Sequence, residues 1–103
     1  MMLTFYVENQ LHERVYSFSD DGLNSFLNLC RRCAEHGRTV LEAVDPYADT
    51  MFNVKQLEML LKELDALERG NLLSGDEAEI AVKVNSAALH ARGLSGYLFI
   101  AGD

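Results

Sequence analysis

Two cysteines, Cys30 and Cys33, stand in C-x-x-C spacing. Thiols at this spacing can form a redox pair or supply half of a tetrahedral zinc site. A redox pair requires an exposed thiol of low pKa at the start of a helix, whereas these two fall on the apolar stripe of a predicted helix. A zinc site requires four ligands, and only His36 stands nearby in the sequence. We therefore predict that both thiols are reduced and packed in the core, and that the chain holds no metal.

No other pattern of catalytic residue types is present. His12, His36 and His90 form no H-x-x-x-H or H-E-x-x-H motif, and the sequence contains no G-x-S-x-G, P-loop or G-x-G-x-x-G. Asp20 and Asp21 are adjacent carboxylates, but acidic residues are common at helix starts. We therefore expect a protein that is not an enzyme and that uses no cofactor.

The most distinctive local segment runs from Asp45 to Asn53 and reads DPYADTMFN. Asp-Pro favours a turn, and short polar side chains can bond the backbone ahead of a helix. One interpretation is a structural loop that leads into the next helix. The other is a binding loop that presents Tyr47 between the carboxylates of Asp45 and Asp49, because aromatic residues often anchor interfaces.

Acidic residues are concentrated between positions 58 and 79. This stretch contains seven acidic and two basic residues, a balance of −5 within the formal net charge of −7. It is either a solvated helix face or an acidic patch that meets a basic partner. The candidate partner-binding acids in it are Glu58, Glu63, Asp65, Glu68, Asp76 and Glu77.

The composition indicates one compact domain spanning residues 1–103. The chain is 49% hydrophobic and 24% charged, with no linker-like or low-complexity tract. Its negative charge disfavours direct binding to nucleic acid or to an anionic membrane. No apolar run reaches the roughly 18–20 residues that cross a bilayer, and the N-terminus lacks the features of a signal peptide. We therefore expect a cytoplasmic protein.

The predicted elements follow the order β-β-α-(β)-α-α-β. Period-two alternation at residues 3–8, a polar turn at 9–13 and a short second strand at 15–18 indicate a β-hairpin over residues 2–18. Residues 97–101 read as a final buried strand. Residues 38–44 are predicted to be a third strand or an extended connector, because Thr39, Val40 and Val44 are β-branched. We predict an α+β fold with three helices packed on a small antiparallel or mixed sheet, in which the terminal strands are adjacent. A mostly helical bundle with a minor sheet is the alternative.

Each predicted helix has a start signal and a stop signal. The first is capped by Ser19 and stopped by Gly37 with His36 beside it, the second is capped by Asn53 with Gln56, and the third by Ser74 with Glu77. Gly70 ends the second helix, and Gly93 and Gly96 end the third. The predicted buried stripes are Leu23, Phe26, Leu27, Cys30, Cys33 and Ala34 in the first helix, Val54, Leu57, Leu60, Leu61, Leu64 and Leu67 in the second, and Ile80, Ala81, Val84, Ala87, Ala88 and Ala91 in the third.

The run VDPYADTMFNVKQLEMLLKELDAL and the closing YLFIAGD resemble a family of small bacterial proteins of uncharacterised function. Their shared pattern is Asp-Pro-Tyr-Gly-Asp-Thr, an apolar pair, Asn, a leucine-rich helix, and an aromatic-aliphatic strand ending in Gly-Asp. Ala48 stands where the family has glycine, which implies that this position does not need a positive φ. The matching residues are Asp45, Pro46, Tyr47, Asp49, Thr50, Phe52, Asn53, Gln56, Leu57, Gly102 and Asp103.

Small acidic proteins of this kind resemble immunity proteins of polymorphic or contact-delivered bacterial toxins. The resemblance implies a protein that neutralises a cognate toxin with a basic surface by covering its active site. Two alternatives come from other classes. One is a phage-encoded inhibitor or nucleic-acid mimic that acts on a defence complex, and the other is an adaptor that forms a homodimer through its leucine-rich helix.

Overall fold

The structure is a computed structural model that describes residues 2–35 and 40–102, with the side chains of Ala34 and Glu35 outside the description. It confirms the predicted α+β class and the order of elements. The elements are β1 Thr4–Glu8, β2 Arg14–Ser19, α1 Ser25–Glu35, a one-turn 3₁₀ helix Val40–Ala43, β3 Thr50–Phe52, α2 Val54–Arg69, α3 Gly75–Gly93 and β4 Tyr97–Ala101.

The four strands form one antiparallel sheet in the order β2-β1-β4-β3. Phe5 of β1 lies opposite Phe18 on one side and Ile100 on the other, and Ile100 in turn lies opposite Thr50 of β3. The N-terminal and C-terminal strands are therefore neighbours at the centre of the sheet, as predicted, and β2 and β3 are its two edges.

The helices cover one face of the sheet. Alternation along β1 and β4 turns Phe5, Val7, Leu98 and Ile100 inward, and all four are fully buried. Helix α3 packs on β1 and β4, α2 packs on β3 and β4, and α1 packs against α3 and the 3₁₀ helix. The opposite face of the sheet, which carries residues such as Tyr6, is open.

Helices α2 and α3 begin with the two predicted capping boxes. The Asn53 side chain accepts a hydrogen bond from the Gln56 N–H, and the Gln56 side chain accepts one from the Asn53 N–H. Ser74 and Glu77 repeat the arrangement at the start of α3. Each box satisfies two backbone donors that have no partner within the helix. The predicted stripe of α3 is buried throughout, as are Leu57, Leu60 and Leu64 of α2.

Helix α1 begins later than predicted and has a different cap. Ser19 belongs to β2, and the carboxylate of the buried Asp20 accepts hydrogen bonds from the N–H groups of Phe26 and Leu27, both at 3.0 Å. An intervening turn, with Asn24 at φ 55°, brings the helix start back to this carboxylate. Leu23 therefore precedes the helix, and its side chain is 67% exposed rather than buried.

The third strand was predicted at the wrong place. Residues 40–43 form the 3₁₀ helix, and the strand lies later, at Thr50–Phe52. The N–H groups of Val40 and Leu41 bond the Glu63 carboxylate instead of a neighbouring strand. The other assignments made in this region, to His36, Gly37, Arg38 and Thr39 and to the Ala34 side chain, lie outside the described residues, as does Asp103.

The close packing of the turn from α3 into β4 predicts that the stability of the fold depends strongly on Gly96. A Cβ atom at this position would lie 1.9 Å from the Glu8 carbonyl oxygen, whereas a Cβ at Gly93 would meet nothing within 4 Å. We expect Gly96→Ala to destabilise the fold by more than about 3 kcal/mol, because the β1 backbone must move. Gly93→Ala, the matched control, should change stability by less than about 1 kcal/mol. Urea unfolding of both variants checks this, and equal effects would contradict the close approach of β4 to β1.

Candidate partner-binding site

The loop Asp45–Asp49, between the 3₁₀ helix and β3, is held by its own hydrogen bonds. The Asp45 carboxylate accepts from the Tyr47 N–H at 2.8 Å, and the Thr50 hydroxyl donates to the Ala43 carbonyl at 3.3 Å. Tyr47 is 69% exposed, and the side chains of Asp45 and Asp49 are also exposed. The loop therefore presents an aromatic ring to solvent between two carboxylates.

Gly102, the residue that follows β4, packs against the backbone of this loop. A Cβ at Gly102 would lie 2.5 Å from the Ala48 carbonyl oxygen and 2.7 Å from the Asp45 carbonyl oxygen. Only glycine allows the two backbones to approach this closely. Ala48 is not among the non-glycine residues with positive φ, in agreement with the expectation from the sequence. The loop Asp45–Asp49 and Gly102 therefore form one structural unit.

The exposed face of α2 carries charges of both signs. Lys55, Glu58, Lys62, Asp65 and Arg69 follow one another at spacings of three and four residues, so they share one face of the helix. Arg69 and Asp65 form an ion pair with a distance of 3.0 Å between Nε and Oδ2. This face is therefore a mixed-charge surface, although counting residues from Glu58 onward had indicated a strongly acidic stretch.

Glu63 has a structural role. Its carboxylate accepts hydrogen bonds from the Val40 N–H at 2.9 Å and the Leu41 N–H at 3.2 Å, which are the first donors of the 3₁₀ helix. The side chain is half-buried between that helix and α2. Glu63 was predicted to be a partner-binding acid, whereas its carboxylate is engaged by the chain's own backbone.

Glu77 is 5% exposed and therefore does not belong to a surface patch. The Arg32 guanidinium of α1 donates to its carboxylate and also donates to the Leu72 carbonyl at 2.9 Å. Burial tends to raise the pKa of Glu77, but hydrogen bonds from Arg32 and Ser74 and the charge of Arg32 outweigh it, so the pKa lies below the ordinary value of 4.5. Arg32 could not be recognised from the sequence as a partner of Glu77, because 45 residues separate the two.

The remaining candidate acids are exposed. Among the residues that the structure describes, Glu58, Glu68 and Asp76 form no ion pair within 4.0 Å. Glu68 lines a shallow groove of 130 Å³ between α2 and α3, together with Leu73 and Asn85. Of the candidate partner-binding residues, the loop Asp45–Asp49 and these three carboxylates are thus exposed, and Asp65 is exposed but paired with Arg69.

The two cysteines are packed as predicted. Cys30 is 2% exposed, Cys33 is 8% exposed, and both are free thiols. Burial raises the pKa of the Cys30 thiol well above its ordinary value and also raises that of Cys33. Within residues 2–35 and 40–102, no group of three His, Cys, Asp or Glu side chains is arranged to hold a metal ion. These thiols are protonated at neutral pH and are therefore poor nucleophiles.

Aromatic residues on the open face of the sheet were missed by the sequence analysis. The rings of Tyr6 and Phe99 lie 6.2 Å apart, and the Arg14 guanidinium lies 3.8 Å from the centroid of the Tyr6 ring. His12 stacks on Tyr97 with 4.2 Å between the ring centroids. The alternation along β1 identifies Tyr6, but only the strand pairing shows that Phe99 lies beside it. Side chains of the hairpin itself thus cover part of this face.

Comparisons of the chain with protein-family models, with curated proteins and with solved structures found no match. The resemblance based on the segment Asp45–Asn53 therefore stays a prediction. None of the helices described for this chain is both long enough and apolar enough to span a bilayer.

The different environments of two glutamates on α2 give a direct test. Glu63→Ala should destabilise the fold by about 1–3 kcal/mol, because it leaves the Val40 and Leu41 N–H groups without their acceptor. Glu58→Ala, at an exposed site on the same helix, should change stability by less than about 0.5 kcal/mol. Urea unfolding measures both values, and equal losses would contradict the structural role of Glu63.

The lowered pKa of Glu77 predicts a loss of stability in acid. The folded chain keeps Glu77 ionised at a lower pH than the unfolded chain does, so its ionisation stabilises the fold above pH 4.5. That contribution is lost as the pH falls through the lower pKa of the folded state. Glu77→Gln should reduce stability at pH 7 by about 1–3 kcal/mol and weaken the acid dependence. Unfolding free energies from pH 7 to pH 3 check this, and an unchanged acid dependence would contradict it.

Proposed function

We propose that this chain is a non-enzymatic immunity protein that binds a cognate bacterial toxin domain one-to-one and covers its active site. The observation that carries the proposal is the supported loop Asp45–Asp49, in which Tyr47 is 69% exposed between two exposed carboxylates. A large exposed aromatic side chain on a fixed loop is typical of an interface anchor.

The loop's backbone contacts favour binding, because they order the loop before a partner arrives. The Asp45–Tyr47 hydrogen bond and the close approach of Gly102 restrict the backbone on two sides. A pre-organised loop loses less conformational entropy on association than a flexible one does. Tyrosine adds to this advantage, since it offers a large contact area with only two side-chain torsions.

The charge distribution favours a basic partner. Asp45 and Asp49 flank Tyr47, and Glu58, Glu68 and Asp76 add exposed carboxylates on α2 and α3. The formal net charge of −7 would accelerate encounter with a positively charged protein surface. The same charge disfavours nucleic acid and anionic membranes as direct partners.

The two alternative functions gain less support from the geometry. An adaptor that dimerises through the leucine-rich helix needs exposed leucines, but Leu57, Leu60 and Leu64 are buried in the chain's own core. A nucleic-acid mimic needs a row of carboxylates, but the exposed face of α2 alternates in sign from Lys55 to Arg69. The immunity proposal requires neither feature.

Tyr47→Ala tests the proposal in cells that express the product of the neighbouring gene, which the proposal expects to be a toxin domain. The unaltered chain should protect those cells and co-purify with the domain. Tyr47→Ala should lose protection and bind at least about tenfold more weakly, as expected for an interface anchor. Leu11→Ala is a suitable control, because Leu11 is 79% exposed in the hairpin loop between β1 and β2. It should protect as well as the unaltered chain.

Two further measurements make the result decisive. Both variants must keep the thermal unfolding temperature of the unaltered chain, which separates a lost contact from a lost fold. Asp49→Lys should slow association and reduce its salt dependence, because exposed charges are screened over about 8 Å at physiological ionic strength. Full protection by Tyr47→Ala and Asp49→Lys would contradict a loop-centred interface, and failure of the unaltered chain to bind would contradict the proposed function.

A further inference from the structure

Strand β2 has an unpaired outer edge. The Asp20 N–H donates to the Leu3 carbonyl at 2.9 Å, and Phe5 lies opposite Phe18. Backbone groups alternate in direction along an antiparallel strand, so those of Ser17 and Ser19 point away from β1. In the part of the chain that the structure describes, no strand lies beside β2 on this side.

This edge has few of the features that usually prevent pairing with another chain. Residues 15–19 contain neither proline nor a charged residue. Val15 is 48% exposed and Tyr16 is 54% exposed. The strand's one cation, Arg14, lies over the ring of Tyr6 instead of projecting from the edge. The irregularity in pairing falls at the start of the strand, opposite Val7 and Glu8, and leaves residues 16–19 in regular register.

The helical layer leaves room beside this edge. Because α3 packs on β1 and β4, a groove of 380 Å³ remains between Tyr16 and the α3 residues Val82, Ser86 and His90. Val82 is 63% exposed. Side chains of an added strand that point toward the helices could enter this groove without displacing the core.

We propose that β2 pairs in antiparallel fashion with β2 of a second copy, about a two-fold axis at Ser17. In this register Ser17 lies opposite Ser17 of the second copy, and Val15 lies opposite Ser19. Ser17 and Ser19 both turn their backbone groups outward, as the hydrogen-bonded pairs of an antiparallel ladder require, and Val15 lies at the irregularity where β2 begins. Tyr16 then lies opposite Phe18 of the second copy, an aromatic cross-strand pair on the helical side.

The charges at the ends of β2 favour this occupant. Arg14, whose side chain is 53% exposed, precedes the uncharged segment, and the half-buried Asp21 follows it. Asp20 is buried as the cap of α1 and takes no part. Antiparallel pairing places the cation of one copy at the acidic end of the other, whereas parallel pairing would align like charges. Glu13 is directed into its own hairpin loop, where its carboxylate accepts from the Asn9 side chain at 2.9 Å. The pairing uses the sheet edge opposite β3, so it does not depend on the proposed function of the loop before β3.

Sedimentation velocity tests the pairing with the purified full chain. Each copy carries a formal charge of −7, so the two repel one another at a distance. We expect a reversible dimer whose population rises with protein concentration between about 10 μM and about 1 mM, the range of weak contacts. Its dissociation constant should decrease as salt rises, because salt screens the repulsion. A chain that stays monomeric up to 1 mM at every salt concentration would overturn the proposal.

Substitutions at the two-fold axis test the register. Ser17→Lys and Ser17→Glu should each weaken dimerisation at least about tenfold, because like charges then face one another across the axis. An equimolar mixture of the two variants should form a heterodimer, since lysine then faces glutamate. Ala66→Lys and Ala66→Glu, at an exposed site on α2, should dimerise as the unaltered chain does.

Three outcomes would overturn the proposed register. The first is a dimer that the Ser17 substitutions leave unchanged, and the second is a mixture of the Ser17 variants that stays monomeric. The third is loss of the dimer on substituting Ala66, which would place the interface on α2. Circular dichroism of each variant confirms that the fold is retained, so a change in association reflects the interface.

Discussion

The position of β4 between β1 and β3 is the constraint on which the rest of the structure depends. Gly96 lets the chain enter β4 in direct contact with the backbone of Glu8 and Asn9, and Gly102 lets it leave against the backbone of Asp45 and Ala48. Strand β4, through the glycines at its two ends, therefore holds the N-terminal hairpin and the loop Asp45–Asp49 in one sheet assembly. The same pairing completes the buried face of the sheet under α2 and α3, because Leu98 and Ile100 lie beside Phe5 and Val7.

Signals within a few residues of one another predicted much of this fold. Asn53 with Gln56 and Ser74 with Glu77 form the capping boxes that their spacing indicated, and the run Tyr97–Ala101 is the final strand. The cap of α1 could not be predicted in this way, because Asp20 reaches N–H groups six and seven residues further along the chain. Strand β3 is three residues long, which is too short to show a period of two.

In the candidate site, too, some features can be predicted from neighbouring residues, and others depend on contacts between segments that are far apart in the sequence. The exposure of Tyr47 agrees with the binding-loop interpretation of the sequence, and its support by Gly102 depends on contact between distant segments. Counting charges could not separate Glu58 from Glu63 and Glu77, since the last two are held by Val40, Leu41 and Arg32. Charge density along a sequence thus overstates the acidic surface wherever carboxylates accept hydrogen bonds from the backbone or from an arginine side chain.

The central claim is that the loop Asp45–Asp49 is the surface that meets the partner. Amide hydrogen exchange of the free chain and of its complex with the neighbouring gene's product, the toxin domain that the proposal expects, tests this claim most directly. The account predicts that binding slows exchange in residues 45–50 and leaves the β2 edge at residues 15–19 unchanged. Slower exchange confined to another surface, with the loop unaffected, would contradict it.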